Sequence, residues 1–195
     1  MRYDAEHKQK TRERVLTEAA KAIRAEGPHR IAVAGVMSRA GLTHGGFYAH
    51  FASKEELVSA AIDQMFAEGY ARWTAVTGDL VPAEALVAYV DFYLSAAHRD
   101  SRTTGCPLPY LSADLPRLPE DARRRFGDGV RRLTIAIAGL LAQLGRPHPR
   151  EEASSVLSEL VGALSLARAE PDPKRSDVIL ASSRRILIHR LGLSQ

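Results

Sequence analysis

Cysteine occurs once in the 195 residues, at Cys106. An intramolecular disulfide framework and a multi-cysteine zinc site are therefore excluded. Long apolar runs are missing as well. The longest nearly apolar stretch, Leu133 to Leu144, holds 12 residues, where a membrane-crossing helix needs about 20. Met1 to Lys10 is polar and charged with no apolar region behind it, so no secretory leader is expected, and a reducing, cytoplasmic setting is. Sustained strand alternation, internal repeats and low-complexity tracts are not found. Catalytic constellations are lacking too. His44 and His50 stand six apart, off the i, i+4 spacing of paired metal ligands, and there is no phosphate-binding glycine loop and no strand to carry a nucleophile elbow. The chain is expected to be no enzyme and to carry neither metal nor cofactor.

Apolar residues make up 45% and charged residues 26%, which describes a folded globular chain and not a disordered one. The length fits one domain, or one with a small appendage. The net charge of +4 is unevenly spread: residues 1–54 hold 10 Lys/Arg against 5 Asp/Glu, and the rest holds 17 against 18. A basic first quarter on a near-neutral bulk suggests a polyanion-binding head on a body with another task. Charge alone equally permits a solvated basic helix that binds nothing.

Proline divides the chain, at Pro28, Pro82, Pro107 to Pro119, Pro147 and Pro149, and Pro171 and Pro173. Between these breakers the apolar spacing is helical. Val15, Leu16, Ala19, Ala20 and Ile23 form one stripe, and Leu57 to Trp73 carries another over about five turns. Leu133, Ile137, Leu140, Leu141 and Leu144 make a further stripe. The fold class expected is all-α, with about nine helices. Helix ends are written locally: Gly27-Pro28 stops the first helix, Ser53-Lys54-Glu55-Glu56 is a capping box, and Thr43 can cap a helix beginning at His44.

Residues 30–54 concentrate the functional signal. Two short helices, Val33–Ala40 and Thr43–Phe51, are expected on either side of a tight turn at Gly41-Leu42. Val33, Val36, Met37, Phe47 and Phe51 would face inward against the first long helix. That is a helix-turn-helix, whose second helix enters the DNA major groove. Thr43, His44, Gly45 and Gly46 present small groups at its leading end. Glycine inside a helix costs about 1 kcal/mol relative to alanine, so two in succession suggest close backbone approach to a partner. Tyr48, His50 and Lys54 could reach phosphates. The alternative for Tyr48 and His50 is a packed tyrosine and a surface histidine.

Gly41-Leu42-Thr43, Phe47-Tyr48-Ala49-His50-Phe51 and Ser53-Lys54-Glu55-Glu56-Leu57 match, in order and spacing, the signature of the TetR family of transcriptional regulators, whose DNA-binding head residues 8–66 resemble. The resemblance implies a homodimeric repressor that binds double-stranded DNA at a palindromic operator. Residues 1–52 would form the helix-turn-helix domain, and 53–195 would bind a small-molecule effector and dimerise. Thr43, His44, Gly45, Gly46, Tyr48, His50 and Lys54 are then the expected DNA-binding residues, with Arg2, Lys8 and Lys10 as flanking phosphate contacts. One departure stands out: Ile31 and Ala32 replace the family's usual Thr or Ser ahead of the second helix, which loses its cap.

In the body, Met65, Phe66, Tyr70, Trp73, Tyr89, Phe92, Tyr93, Cys106 and Tyr110 are the candidate ligand-binding residues, for an apolar or aromatic effector. Each taken singly reads as core. Cys106 reads first as a small buried hydrophobe; the alternative is a thiol that senses oxidants or electrophiles. Arg123 to Arg125 with Arg131 and Arg132 read as a solvated face partly paired with Glu120, Asp121 and Asp128. Val156, Leu157, Leu160, Val161, Leu164, Val178, Ile179 and Ile186 are the candidate dimer interface.

Overall fold

The structure, a computed structural model, describes the backbone of residues 2–193 and the side chains of residues 6–193. Among the described residues there are nine α-helices, two short 3₁₀ helices and no strand. The helices are α1 (Arg2–Glu26), α2 (Val33–Arg39), α3 (Lys54–Thr77), α4 (Pro82–Tyr93), α5 (Ala96–Asp100), α6 (Leu108–Leu111), α7 (Glu120–Gln143), α8 (Pro149–Ala169) and α9 (Pro173–Arg190), and the 3₁₀ helices are His44–Ala49 and Leu115–Arg117. No described helix is long and apolar enough to cross a membrane. Proline opens α4, α8 and α9 within the first turn, where its missing donor costs nothing.

The chain forms two compact units. One comprises residues 1–68 with 102–128, the other 69–101 with 129–195. In the first, α1, α2, the 3₁₀ helix and the start of α3 close over Val15, Ala19, Ile23, Val36, Met37, Phe47, Phe51, Leu57 and Ile62, all buried. Leu111, Leu115, Leu118 and Ala122 complete the same core, so the segment after residue 102 folds with the N-terminal helices. Removing a side chain such as Phe51 from this core should cost about 3–5 kcal/mol.

In the second unit α8 and α9 pack along each other, with α4 and α5 against them. Arg168 of α8 donates to the carbonyls of His98 and Arg99, at 2.9 and 3.1 Å, and so ties down the end of α5. Arg99 in turn donates to Ser176 at 2.9 Å and pairs with Asp177 at 2.6 Å, on α9. Asp172 caps α9, accepting from the amides of Lys174 and Arg175 at 2.8 and 3.1 Å.

Candidate nucleic-acid interface

The turn between α2 and the 3₁₀ helix is closed by its backbone. Gly41 N–H donates to Ser38 O and Leu42 N–H to Met37 O, both at 2.9 Å. This paired closure requires a left-handed residue after the helix, and Gly41 supplies φ +69°. A methyl group there would also stand 3.1 Å from the Arg14 guanidinium, which donates to the Ala40 carbonyl. Arg14 on α1 thus pins the end of α2. Ala32 precedes α2 without any side-chain cap, as its residue type implies, while the adjoining Ile31 is buried in the core.

The segment after the turn differs from the expectation in type. His44–Ala49 is a 3₁₀ helix and not an α-helix running to Phe51. Two glycines and the short span explain the tighter winding, because nothing in Gly45-Gly46 favours the α form. Thr43 does not cap this helix through its hydroxyl. Its carbonyl accepts from Gly46 N–H at 3.1 Å instead, so the exposed side chain is left outward.

Phe47 and Phe51 are buried and stack with their ring centroids 5.7 Å apart. They anchor the segment, while Thr43, His44, Gly45 and Tyr48 stand on its exposed side. Tyr48 is 72% exposed, which excludes the packed tyrosine. A methyl group added at Gly45 would meet nothing within 4 Å, so nothing inside the protein requires glycine there. Gly46 is half-buried, with Met37 Cε 3.8 Å and Thr43 Oγ1 3.9 Å from the position its methyl would take.

Cations frame this surface. Arg12, on α1, lies over the Phe51 ring at 4.6 Å and reaches Glu56 at 3.7 Å. Beside it His50 is half-buried, with no hydrogen-bond partner for its Nδ1. Partial burial and the charges of Lys8 and Arg12 hold the His50 imidazole below its usual pKa. An arriving phosphate would reverse that balance, since an anion stabilises the imidazolium. Lys54 donates to the His29 carbonyl at 2.9 Å, which ties the start of α3 to the loop after α1. Lys8 and Lys10 are exposed; the side chain of Arg2 lies outside the described residues.

The α3 capping box forms with one change. Ser53 Oγ accepts from Glu56 N–H at 3.2 Å, but the Glu56 carboxylate takes the amide of Ala52, at 2.7 Å, in place of that of Ser53. Arg12 draws the carboxylate toward α1 from the other side.

The candidate ligand residues divide between the units. Met65, Phe66, Cys106 and Tyr110 belong to the first, where Met65 and Cys106 are buried and Phe66 meets Phe126 edge to face at 5.4 Å. Tyr70, Trp73, Tyr89, Phe92 and Tyr93 belong to the second. Trp73, Tyr89, Phe92 and Tyr93 form a chain of ring contacts from 4.5 to 6.3 Å. His98, missed in the sequence, completes it, stacked on Phe92 at 5.2 Å and edge-on to Tyr93 at 4.9 Å. Its Nδ1 lies 2.9 Å from the Tyr93 carbonyl, and burial pushes its pKa down to about 4. Tyr70 stands apart from that chain under the Arg132 guanidinium, at 3.7 Å. A groove of about 800 Å³ between α4 and α9 is lined by Leu80, Val87, Asp91, Arg184 and Ile188, and by none of the candidate ligand residues.

The dimer candidates also separate. Val156, Leu157, Leu160 and Leu164 are buried within their own unit, so the expectation that they face a partner is corrected: they have no surface left to offer. Val161 and Ile179 are partly buried. Val178 and Ile186 are 61% and 53% exposed, and Leu166, not singled out from the sequence, is 63% exposed. Arg124 and Arg125 pair with Asp121 at 2.5 and 2.7 Å, as a solvated paired face requires.

A basic α1, a Schellman-closed turn and an outward segment on a buried aromatic base make up a helix-turn-helix, the reading unit of DNA-binding regulators. Residues 15–61 match the bacterial regulatory proteins, tetR family. An uncharacterized HTH-type transcriptional regulator of Mycobacterium tuberculosis is 28% identical over 190 residues, covering 92% of this chain and 95% of its own. In fold the chain is similar to a TetR transcriptional regulator from Chloroflexus aurantiacus, at TM-score 0.81 and 23% identity over 96% of each chain. It is also similar to E. coli NemR in its reduced form, at TM-score 0.79 and 23% identity over 91% of this chain and 95% of that one. Residues 15–61 are thus similar to the DNA-binding head of the tetR family of bacterial regulatory proteins, and the fold of the chain is similar to that of TetR regulators.

Proposed function

We propose that this DNA-binding regulator is a homodimeric repressor, released from a palindromic operator by a small apolar or aromatic effector. The observation that carries the reading is the exposed segment from Thr43 to Tyr48, held rigid by buried Phe47 and Phe51 and fronted by a glycine that nothing internal requires. Thr43, His44, Gly45 and Gly46 approach the base edges, and Tyr48 and His50 reach phosphates beside Lys8 and Arg12. Lys54 keeps its bond to the His29 carbonyl and presents charge to the same backbone. Reading of DNA rests with residues 1–52, and effector binding and dimerisation with residues 53–195.

Dimerisation is supported by three large apolar side chains, Leu166, Val178 and Ile186, left in solvent on the packed pair α8 and α9. Isolated exposed side chains need no explanation, but three on one helix pair suit a symmetric four-helix contact. The effector reading rests on the ring chain from Trp73 to His98, an apolar lining with polar tips. Selection from a random duplex library tests the DNA-reading and dimer parts of this proposal. A palindromic winner with half-sites about 10 base pairs apart, or a multiple, is expected. Enrichment of a single unrepeated half-site would overturn the dimer, and no enrichment would overturn sequence-specific reading.

A further inference from the structure

Arg24 is a charged residue in an apolar place. It sits on α1 in line with Leu16 and Ala20, and its side chain is only 1% exposed. Burial of a guanidinium costs several kcal/mol unless its donors are met. Two carbonyls accept from the guanidinium here, and a carboxylate pairs with its charge. Glu68, on α3, lies 2.8 Å from Nη2. The Gly105 carbonyl accepts from Nε at 3.2 Å, and the Thr103 carbonyl accepts from Nη1 at 3.3 Å. Both acceptors are thus main-chain groups of the loop between α5 and α6. Gly105 holds φ +108°, a conformation that turns the loop and that other residues rarely adopt.

We propose that Arg24 is a positioning residue for DNA reading, which couples the 103–105 loop to the recognition segment through α1. Displacement of the loop strips two acceptors from a buried cation, so the loop and α1 move together or the charge is left unsatisfied. The N-terminal part of α1 carries the groups that hold the reading surface. Arg14 donates to the Ala40 carbonyl ahead of the turn, and Arg12 covers Phe51. One rigid helix therefore joins the loop at Arg24 to the reading segment at Arg12 and Arg14. By reciprocity, DNA bound at that segment stabilises the closed loop to the degree that loop closure favours DNA.

The inference rests on the DNA-binding reading, and the lone cysteine makes it measurable. Cys106 adjoins the loop and is buried, so its rate of reaction with a small aromatic disulfide reports loop opening. The full chain is labelled with and without the duplex won by selection, and fluorescence anisotropy of the duplex in the same sample reports binding. Bound DNA is expected to slow labelling by roughly five- to 150-fold, the usual span of coupling between sites. Arg24→Lys, which can keep Glu68 but not both carbonyls, and Glu68→Gln are expected to lose most of that slowing. A purely structural Arg24 would raise both rates equally and keep their ratio, which overturns the proposal. Binding without slowed labelling in the unaltered chain overturns it as well, even if neither variant folds. Absence of any anisotropy change overturns the DNA reading and the coupling with it.

Discussion

Alanine at Gly45 should strengthen the free protein and weaken its complex with DNA. The added methyl meets no atom within 4 Å, and Gly45 is not among the residues with positive φ. The substitution therefore introduces no strain in the folded state, while it narrows the unfolded ensemble. A gain of about 0.4–1 kcal/mol follows. For a chain of this size that raises Tm by roughly 1–4 °C. On DNA the same methyl projects from the exposed leading end of the segment into the space that the groove floor would take. Overpacking of this kind costs about 1–3 kcal/mol, or roughly five- to 150-fold in Kd. Differential scanning calorimetry gives the first quantity and anisotropy titration with the selected duplex the second. Unchanged affinity with raised Tm would refute close backbone approach at Gly45, and a lowered Tm would refute the claim that the site is internally open. Gly41→Ala supplies the contrast: its φ of +69° and the Arg14 guanidinium at 3.1 Å predict loss of stability first.

Other consequences are equally direct. Tyr48→Ala should leave stability within about 0.5 kcal/mol, since the ring is mostly in solvent, but it should weaken DNA binding in the titration. Ser53→Ala should cost about 1 kcal/mol in denaturant unfolding by removing the α3 cap. His98 is depressed to about 4 from 6.5 by burial, so the unfolded chain binds the proton more tightly. Its contribution is therefore complete above pH 6.5 and is lost as pH falls toward 4, a decline of about 3 kcal/mol. His98→Gln should flatten that part of the stability profile, and an unchanged profile would assign the acid loss elsewhere. Val178→Glu with Ile186→Glu should leave the helical content of the chain intact and lower its mass in sedimentation to that of a monomer. An unaltered sedimentation profile would remove α9 from the interface.

The reading head was legible from local chemistry. Gly27-Pro28, Gly41-Leu42 and Ser53 to Glu56 act through bonds to neighbouring residues, so their spacing announces them, and Phe47 and Phe51 follow from periodicity. The 3₁₀ winding after the turn was less so, because two glycines leave the choice to packing. Glu56 takes the Ala52 amide under the pull of Arg12, a residue 44 positions away that no local pattern reveals. In α8 the apolar stripe is plain, but periodicity cannot say whether a stripe faces its own unit or a partner. Val156 and Leu160 are buried, and the exposed Leu166 stands outside the stripe. Arg24 does leave a signal, as a basic residue on the Leu16–Ala20 stripe. Its partners lie 79 and 81 residues away, beyond the reach of any spacing argument. His98 leaves none, for a histidine in Ala96–Asp100 reads as an ordinary polar residue until Phe92 and Tyr93 are seen around it.

The most direct test of the central claim, that the segment from Thr43 to Gly46 reads bases while Tyr48, His50 and the flanking cations hold phosphates, is the affinity for the selected duplex followed against salt. The account predicts a steep linear fall of log K with log salt. Lys8→Ala should make that slope shallower by about one and weaken binding to all sequences alike, whereas Thr43→Ala should keep the slope and relax sequence preference. An affinity independent of salt, or a Thr43→Ala chain with undiminished sequence preference, would contradict it.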